Sequence, residues 1–212
     1  MLILNKNILT IGGNRLEGEP LTPPTPVDPY NPLGLPPNTV RVRTSDGNAP
    51  YKDAAQYETA TLVAGTSDVY DVYKSGTSFN SLCYSSYNIL EVLGANTTGI
   101  TDMAYMFSVC SYLTNVPLFD TSSVTDMRNM FQGCMYLTSV PLFDTSNVTN
   151  MKDTFSNCSS VQSGALALYQ QASTQANPPT NHSYTFYDCG SDTTTGAAEL
   201  AQIPSSWGGT GA

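Results

Sequence analysis

The 212-residue sequence is poor in charged side chains, which make up 12% of it. This is about half of the share that an average soluble domain carries. The surface must therefore consist mainly of Ser, Thr, Asn, Gln and Tyr, a composition that favours binding or display over cytosolic catalysis. The formal net charge of −9 repels phosphates, so we expect neither nucleic acid nor a membrane as a partner.

Long apolar runs are also missing from the sequence. No run of about eighteen apolar residues occurs, so we expect no transmembrane helix. The N-terminal stretch MLILNKNILTIGGNRLEG lacks the basic segment and apolar run of a secretory signal. We therefore expect a surface protein of this kind to reach the outside by another route, such as on a particle released by lysis.

Metal ligands and disulfide pairs are scarce. The one histidine is His182, and the odd number of cysteines argues against a complete disulfide framework. No C-x-x-C pair occurs, so the spacing does not fit a zinc site. We expect no metal and no cofactor. The cysteines are Cys83, Cys110, Cys134, Cys158 and Cys189.

No catalytic constellation is visible in the sequence. His182 lies in a loop context, and no nucleophile-elbow or phosphate-loop pattern is present. Several carboxylates precede the repeats and could in principle form a glycosidase pair, but nothing selects two of them. They are Asp46, Asp53, Glu58, Asp68 and Asp71. We predict a non-enzymatic protein without catalytic residues.

The N-terminal part divides into a peptide and a proline-rich segment. Residues 1–18 alternate well enough for two short strands with a turn at Gly12-Gly13, and are too few to fold alone. We expect this peptide to attach the chain to a partner. Residues 19–38 contain eight prolines, which favour an extended linker of roughly 60 Å or an arm along the domain surface. The predicted attachment residues are Leu2, Ile3, Leu4, Ile8, Leu9 and Ile11.

Residues 39–75 carry strand signals. The stretches TVRVRT, YETATLVAG and DVYDVYKSG are rich in β-branched or aromatic residues and end in turn residues. We predict a small β-rich cap that precedes the remaining domain, residues 76–212.

A 24-residue repeat dominates residues 76–212. Residues 113–136 and 137–160 are identical at 14 of 24 positions, and residues 89–112 form a weaker copy. Past Ser160 the register breaks, GALALYQQASTQ resembles a short helix, and the F-x-x-C spacing returns at Phe186 and Cys189. We treat residues 161–212 as a diverged C-terminal cap.

A single 24-residue unit cannot bury its mixed apolar positions, but neighbouring units can cover one another. We therefore predict an α/β solenoid, a right-handed stack of coils with VPLF as the strand and VTDMRNMFQGC as a turn and short helical turn. The cysteines 24 residues apart then lie inside the core as small hydrophobes. The predicted core residues are Val116, Leu118, Met127, Phe131, Cys134, Val140, Leu142, Met151, Phe155 and Cys158.

Asp120 and Asp144 occupy equivalent positions, each followed by Thr-Ser. Short polar side chains of this kind hold turns by bonding the local backbone. The alternative is a calcium site built from aligned aspartates. Calcium takes six to eight oxygen ligands, and one carboxylate per repeat supplies few of them.

The pattern L-T-x-V-P-L-F-D-T-S-x-V-T-x-M-x-x-x-F-x-x-C resembles that of the BspA-type leucine-rich-repeat surface proteins, clearly over about residues 76–160 and weakly over 161–195. Proteins with this repeat are found on bacterial cell surfaces and are encoded by bacteriophage genes from gut communities. The resemblance implies a leucine-rich-repeat-like solenoid for adhesion or display, without catalysis. The short repeat array distinguishes this chain from the larger members, and we expect it to lack their signal and wall anchor.

Together these features predict a bacteriophage virion surface protein, such as a head fibre, a decoration or a tail-associated protein. Its N-terminal peptide would bind a capsid or tail protein, and its repeats a host surface protein or glycan. A bacterial cell-surface adhesin module and a polysaccharide-degrading enzyme are the alternatives. We expect a homo-oligomer, a trimer or a dimer. The predicted ligand-facing residues vary between repeats and are Tyr112, Arg128, Asn129, Tyr136, Lys152 and Asp153.

Overall fold

A computed structural model describes residues 28–51 and 56–212, together with the backbone of three short N-terminal strands. These strands are β1 (Leu4–Asn5), β2 (Ile8–Ile11) and β3 (Asn14–Glu17). They form an antiparallel sheet in the order β1-β2-β3. The sequence predicted two strands here. Of the predicted attachment residues, Leu4, Ile8, Leu9 and Ile11 lie in these strands, whereas Leu2 and Ile3 lie outside the described residues.

The proline-rich segment is described from residue 28 onward. The side chain of Asn31 accepts a hydrogen bond from the Leu35 amide at 2.8 Å and donates one to the Leu35 carbonyl at 3.0 Å. Leu35 is buried, and its carbonyl also accepts a hydrogen bond from Asn96 at 2.8 Å. Residues 28–38 thus lie along the surface of the domain, as the alternative interpretation predicted, while residues 19–27 are outside the described part of the chain.

Four further strands form the second sheet. They are β4 (Thr39–Thr44), β5 (Thr59–Leu62), β6 (Val69–Tyr73) and β7 (Ile89–Asn96). The sheet is antiparallel with the order β5-β6-β4-β7. The first three strands lie where the alternation predicted them; β7 was expected to be part of the weaker repeat.

The strands β4, β6 and β7 place apolar side chains in the core, whereas the edge strand β5 has no fully buried residue. Val40 and Val42 of β4 and Val72 of β6 are fully buried. On the opposite face, Arg41 donates two hydrogen bonds to Asp71, at 2.7 and 2.8 Å. The sheet is therefore apolar towards the repeats and carries cross-strand ion pairs on its other side.

The prediction of an α/β solenoid with a strand and a helical turn in every repeat is wrong. The structure contains a small antiparallel four-stranded sheet and two short helices, and residues 113–160 hold no strand and no helix. Pro117 and Pro141 in the VPLF segments lack the N–H that a strand ladder needs. In the predicted helical turn, Asn129 and Gly133 have positive φ angles of 55° and 72°, which an α-helix cannot contain.

Turns with left-handed residues recur at the same two positions of the repeats. The residues concerned are Ser81 and Ser85, Tyr105 and Val109, Asn129 and Gly133, Asp153 and Asn157, and Tyr184 and Asp188. The amides of the first four of these pairs donate to carbonyls of the following repeat, for example Tyr105 N to Arg128 O at 3.0 Å and Asn129 N to Lys152 O at 2.9 Å. These hydrogen bonds offset the cost of the unusual backbone angles.

Equivalent residues of consecutive repeats are joined by single parallel bridges, among them Asp102 to Asp126 and Asp126 to Asn150. A threonine ladder adds to them: the Thr125 hydroxyl donates to Thr101 O, and that of Thr149 to Thr125 O, both at 3.1 Å. The backbone polar groups of the turn-rich region are thus satisfied between repeats instead of within strands.

The interior of the repeat region is a series of stacked phenylalanines. The ring of Phe131 lies 5.6 Å from Phe107 and 5.2 Å from Phe155, and Phe155 lies 6.1 Å from Phe186. All of these rings are fully buried. Aromatic stacking therefore runs through the core at the repeat spacing.

Two residues assigned to the core are exposed. Leu118 and Leu142 show 41% and 51% of their surface to solvent, whereas the adjacent Phe119 and Phe143 are buried. Successive side chains of an extended segment point in opposite directions, so the phenylalanine of each VPLF segment enters the core and the leucine does not. The other eight predicted core residues are buried.

The five cysteines are free thiols and all are buried. Three of them repeat one hydrogen bond: Cys110 Sγ donates to Cys83 O, Cys134 Sγ to Phe107 O and Cys158 Sγ to Phe131 O, at 3.0–3.2 Å. Burial raises the pKa of Cys110 and of Cys158 to about 12. The thiols therefore remain protonated in the folded chain and act as small apolar groups.

The C-terminal part closes the core with α1 (Ala165–Thr174), α2 (Thr194–Leu200) and a 3-10 turn (Ser205–Trp207). Helix α1 lies where the sequence predicted a helix. The Trp207 ring stacks on Phe186 at 6.4 Å and thereby covers the last phenylalanine. Within the described residues, no helix is long and apolar enough to cross a membrane.

Candidate binding surface

Two exposed tyrosines from consecutive repeats form a stacked pair. The rings of Tyr112 and Tyr136 lie 5.7 Å apart at an interplanar angle of 6°. They are 54% and 53% exposed. The Tyr136 amide donates to Ser111 O at 3.3 Å, which ties the second repeat to the first at this point. Both predicted ligand-facing tyrosines are thus brought together on the surface.

A pocket of about 180 Å³ adjoins Tyr136. Its lining consists of Met135, Tyr136, Ser159, Ser160 and Asp192. The first four residues lie in the second and third repeats, and Asp192 comes from the segment before α2. Of these residues, the sequence predicted a ligand-facing role for Tyr136, and it carried no signal for Asp192, which lies beyond the break in repeat register.

Backbone hydrogen bonds hold the walls of this pocket in place. The Ser160 amide donates to Met135 O at 3.1 Å, and the Asp192 amide donates to Ser159 O at 3.0 Å. The hydroxyls of the two serines and the Asp192 carboxylate form no side-chain hydrogen bond or ion pair with other described residues. The pocket therefore offers an aromatic face and three uncommitted polar groups.

The predicted cationic positions are exposed but have local partners. Arg128 Nε lies 3.5 Å from Asp126 Oδ2, and the guanidinium lies 5.9 Å from the centre of the Tyr105 ring. Lys152 Nζ lies 3.8 Å from Asp153 Oδ2. Such exposed ion pairs contribute little to stability. Among the described residues, no hydrogen bond, ion pair or ring contact joins these side chains to Tyr112 or Tyr136.

Two other predicted ligand-facing residues are less exposed than the cationic ones. Asn129 is only 8% exposed, and its amide group donates to Gln132 at 2.9 Å. Its left-handed backbone turns this side chain towards its own repeat, so it is not available to a ligand. Asp153 is half-buried, and burial raises its pKa above the usual value while the nearby Lys152 opposes the shift.

The aspartates considered as calcium ligands hold turns. Asp120 Oδ1 accepts from Ser122 N at 3.1 Å, and Asp144 Oδ1 accepts from Ser146 N at 2.9 Å. These are Asx turns, in which the side chain takes the place of a backbone carbonyl. In the described residues, no group of three or more His, Cys, Asp or Glu side chains could hold a metal ion.

Carboxylates of the N-terminal cap that the sequence offered for a glycosidase pair form local contacts where they are described. Asp46 accepts hydrogen bonds from Asn88 and Asn48, which hold its pKa well below the usual range. Asp71 is paired with Arg41. Asp53 lies outside the described residues.

His182 is half-buried and stacks on the Trp207 ring at a centroid distance of 4.2 Å and an angle of 8°. Its Nδ1 lies 3.3 Å from the Ser206 carbonyl oxygen. The sequence placed this residue in a surface loop. The structure gives it a packing role against the ring that closes the core.

Comparison with known proteins supplies the family. The profile described as "Mycoplasma protein of unknown function, DUF285" matches residues 77–191. This match covers just over half of the 212 residues. The chain belongs to the DUF285 family. A search of curated proteins found no match, and a search of solved structures found none.

DUF285 proteins are related to the BspA-like repeat proteins, in agreement with the resemblance of the sequence. The DUF285 match begins after β6 and includes the tyrosine pair and four of the five pocket residues. Asp192 directly follows its last residue. The family description names no activity and no ligand.

Proposed function

We propose that this protein is a non-enzymatic adhesion protein that binds a host surface glycan or protein through exposed tyrosines of its repeat region. The observation that carries the proposal is the Tyr112–Tyr136 pair, two parallel exposed rings next to a pocket. Tyrosine offers a large, rigid contact area at low entropic cost. An aromatic face is suited to sugar rings and to apolar protein side chains alike.

The position of this pair on the fold supports the proposal. Each tyrosine immediately precedes a fully buried leucine, Leu113 or Leu137. The backbone of both repeats is further held by the hydrogen bonds between them. The rings are therefore presented on an ordered surface, which lowers the ordering cost of binding.

We further propose that the protein is carried on a bacteriophage virion. The three-stranded N-terminal sheet β1-β2-β3 supports this part, because it is separate from the four-stranded sheet. Its outer strands β1 and β3 have edges that can pair with a strand of a capsid or tail protein. A trimer or dimer would present several tyrosine pairs at once and raise the avidity.

Adhesion is tested with the full-length chain, fluorescently labelled, on an array of bacterial surface polysaccharides and on intact cells. We expect binding that persists at high salt, because the contact rests on uncharged groups. A Tyr112→Ala/Tyr136→Ala double variant should lose it, whereas Tyr30→Ala removes an exposed tyrosine (39% exposed) outside the repeats and should not. Absence of binding by the unaltered chain to every glycan and cell would refute the proposal.

The virion location is tested separately by immunogold electron microscopy with an antibody to this chain. Label on particles would support the proposal, and label confined to bacterial cell walls would favour the alternative of a cell-surface adhesin. Particles that still incorporate a chain lacking residues 1–20 would contradict the attachment role of the N-terminal sheet.

A further inference from the structure

The tyrosine pair ends at a position where the next repeat has a serine. Ser160 is the counterpart of Tyr112 and Tyr136 at the 24-residue spacing. The backbone at this point is equivalent, because Ser160 N donates to Met135 O as Tyr136 N donates to Ser111 O. One ring of a continued stack is therefore missing, and the pocket of about 180 Å³ lies there.

We propose that this pocket binds one neutral pyranose residue of a glycan, whose ring stacks on Tyr136 in the place of a third tyrosine. The proposal rests on the adhesion function above and names the class of ligand and its site. The pocket is smaller than the roughly 300 Å³ at which sites for drug-sized ligands begin. Its size is thus suited to a single ring at the end or side of a chain.

The polar lining matches sugar hydroxyls. The Asp192 carboxylate accepts hydrogen bonds only, and the hydroxyls of Ser159 and Ser160 both donate and accept. None of the three side chains is committed to another described residue. A sugar with neighbouring hydroxyls can donate to the carboxylate and exchange hydrogen bonds with the serines, a charge-assisted arrangement that is stronger than a neutral one.

The charge of the site selects among sugars. Asp192 is the one residue of the pocket lining that carries a formal charge at neutral pH, and the whole chain has a formal net charge of −9. An anionic sugar would therefore be repelled. We expect neutral hexoses and N-acetylhexosamines to bind in preference to sialic or uronic acids.

Three variants of the full-length chain test the site on the same glycan array, with saturation-transfer NMR on methyl glycosides of glucose, galactose and N-acetylglucosamine. Ser160→Tyr inserts the residue that this position has in the two preceding repeats, and should abolish binding while the fold is retained. Tyr136→Ala should weaken binding about twofold to tenfold, since it removes the stacking face. Asp192→Asn should weaken it about threefold to tenfold.

Tyr30→Ala is the matched control and should bind as the unaltered chain does. Circular dichroism and thermal melting establish that each variant is folded. If the unaltered chain binds a neutral glycan and Ser160→Tyr binds it equally well, the pocket proposal is wrong while adhesion stands. Binding to cells through protein alone, without any glycan signal, also overturns the pocket, and absence of all binding overturns both proposals.

Discussion

Removal of the central ring of the phenylalanine stack is the most direct test of which repeat residues form the core. Phe131 is fully buried and has three aromatic neighbours: Phe155 at 5.2 Å, Phe107 at 5.6 Å and Phe143 at 6.1 Å. Phe131→Ala should therefore destabilise the chain more than any change at an exposed apolar position of the repeats.

The expected magnitude follows from burial and from stacking. Truncation of a buried phenylalanine to alanine costs about 3–5 kcal/mol, including the cavity that remains. Each aromatic pair can contribute about 0.5–1.5 kcal/mol beyond the buried area. Three pairs place Phe131→Ala at the upper end of the range, near 5 kcal/mol, which approaches the total stability of many domains of about 5–15 kcal/mol.

The assay is equilibrium urea unfolding, followed by circular dichroism. Phe131→Leu keeps most of the volume and should cost clearly less than the alanine variant, so it gives a measurable value if the alanine variant does not fold. Leu118→Ala is the control, because Leu118 is 41% exposed, and should cost less than about 1 kcal/mol. A cost at Leu118 equal to that at Phe131, or below 1.5 kcal/mol for Phe131→Ala, would refute the assignment of inward and outward positions.

Three further predictions concern the thiols and the C-terminal cap. Burial raises the pKa of each thiol in the folded state, so the stabilising contribution of the protonated thiol is complete below the unfolded-state pKa of about 8.5 and decreases above it. Urea unfolding at a series of pH values should therefore show that the free energy of unfolding falls by about 1.4 kcal/mol per buried thiol by pH 9.5. Cys158→Ala should make this fall with pH less steep, and a free energy of unfolding that does not change with pH would contradict the prediction. Gly164→Ala should destabilise the chain by several kcal/mol, because φ is +97° and an added Cβ would clash with the Val140 carbonyl oxygen; an unchanged melting temperature would refute this. Thr193→Ala removes the cap of α2, in which the hydroxyl accepts from Gly196 N at 3.0 Å, and should cost about 1 kcal/mol, whereas Thr193→Ser should restore most of it.

The candidate site was accessible to sequence reasoning only in part. Tyr112 and Tyr136 stood out because they share a repeat position, and their exposure is a property of the structure. Asn129 varies between repeats just as Arg128 does, yet only the arginine is exposed. Variation alone does not report the direction of a side chain when the backbone conformation is unknown.

Asp192 is a residue of the candidate site that the sequence could not predict. It lies 32 residues beyond Ser160, past the helix that breaks the repeat register. Its position beside Ser159 depends on a backbone hydrogen bond between the two residues. A contact between segments without a common pattern has no trace in spacing or composition.

The sequence by itself determined the 24-residue period, the burial of the cysteines, three strands of the cap and helix α1, because each rests on local periodicity or on residue type. The tertiary structure decided that the repeats form turns instead of strands and helices, and that phenylalanine instead of leucine enters the core at VPLF. Those outcomes depend on hydrogen bonds between residues some 23 positions apart, such as Asn129 N to Lys152 O. Such bonds hold left-handed residues in place only when neighbouring repeats are already side by side, so local propensity could not predict them.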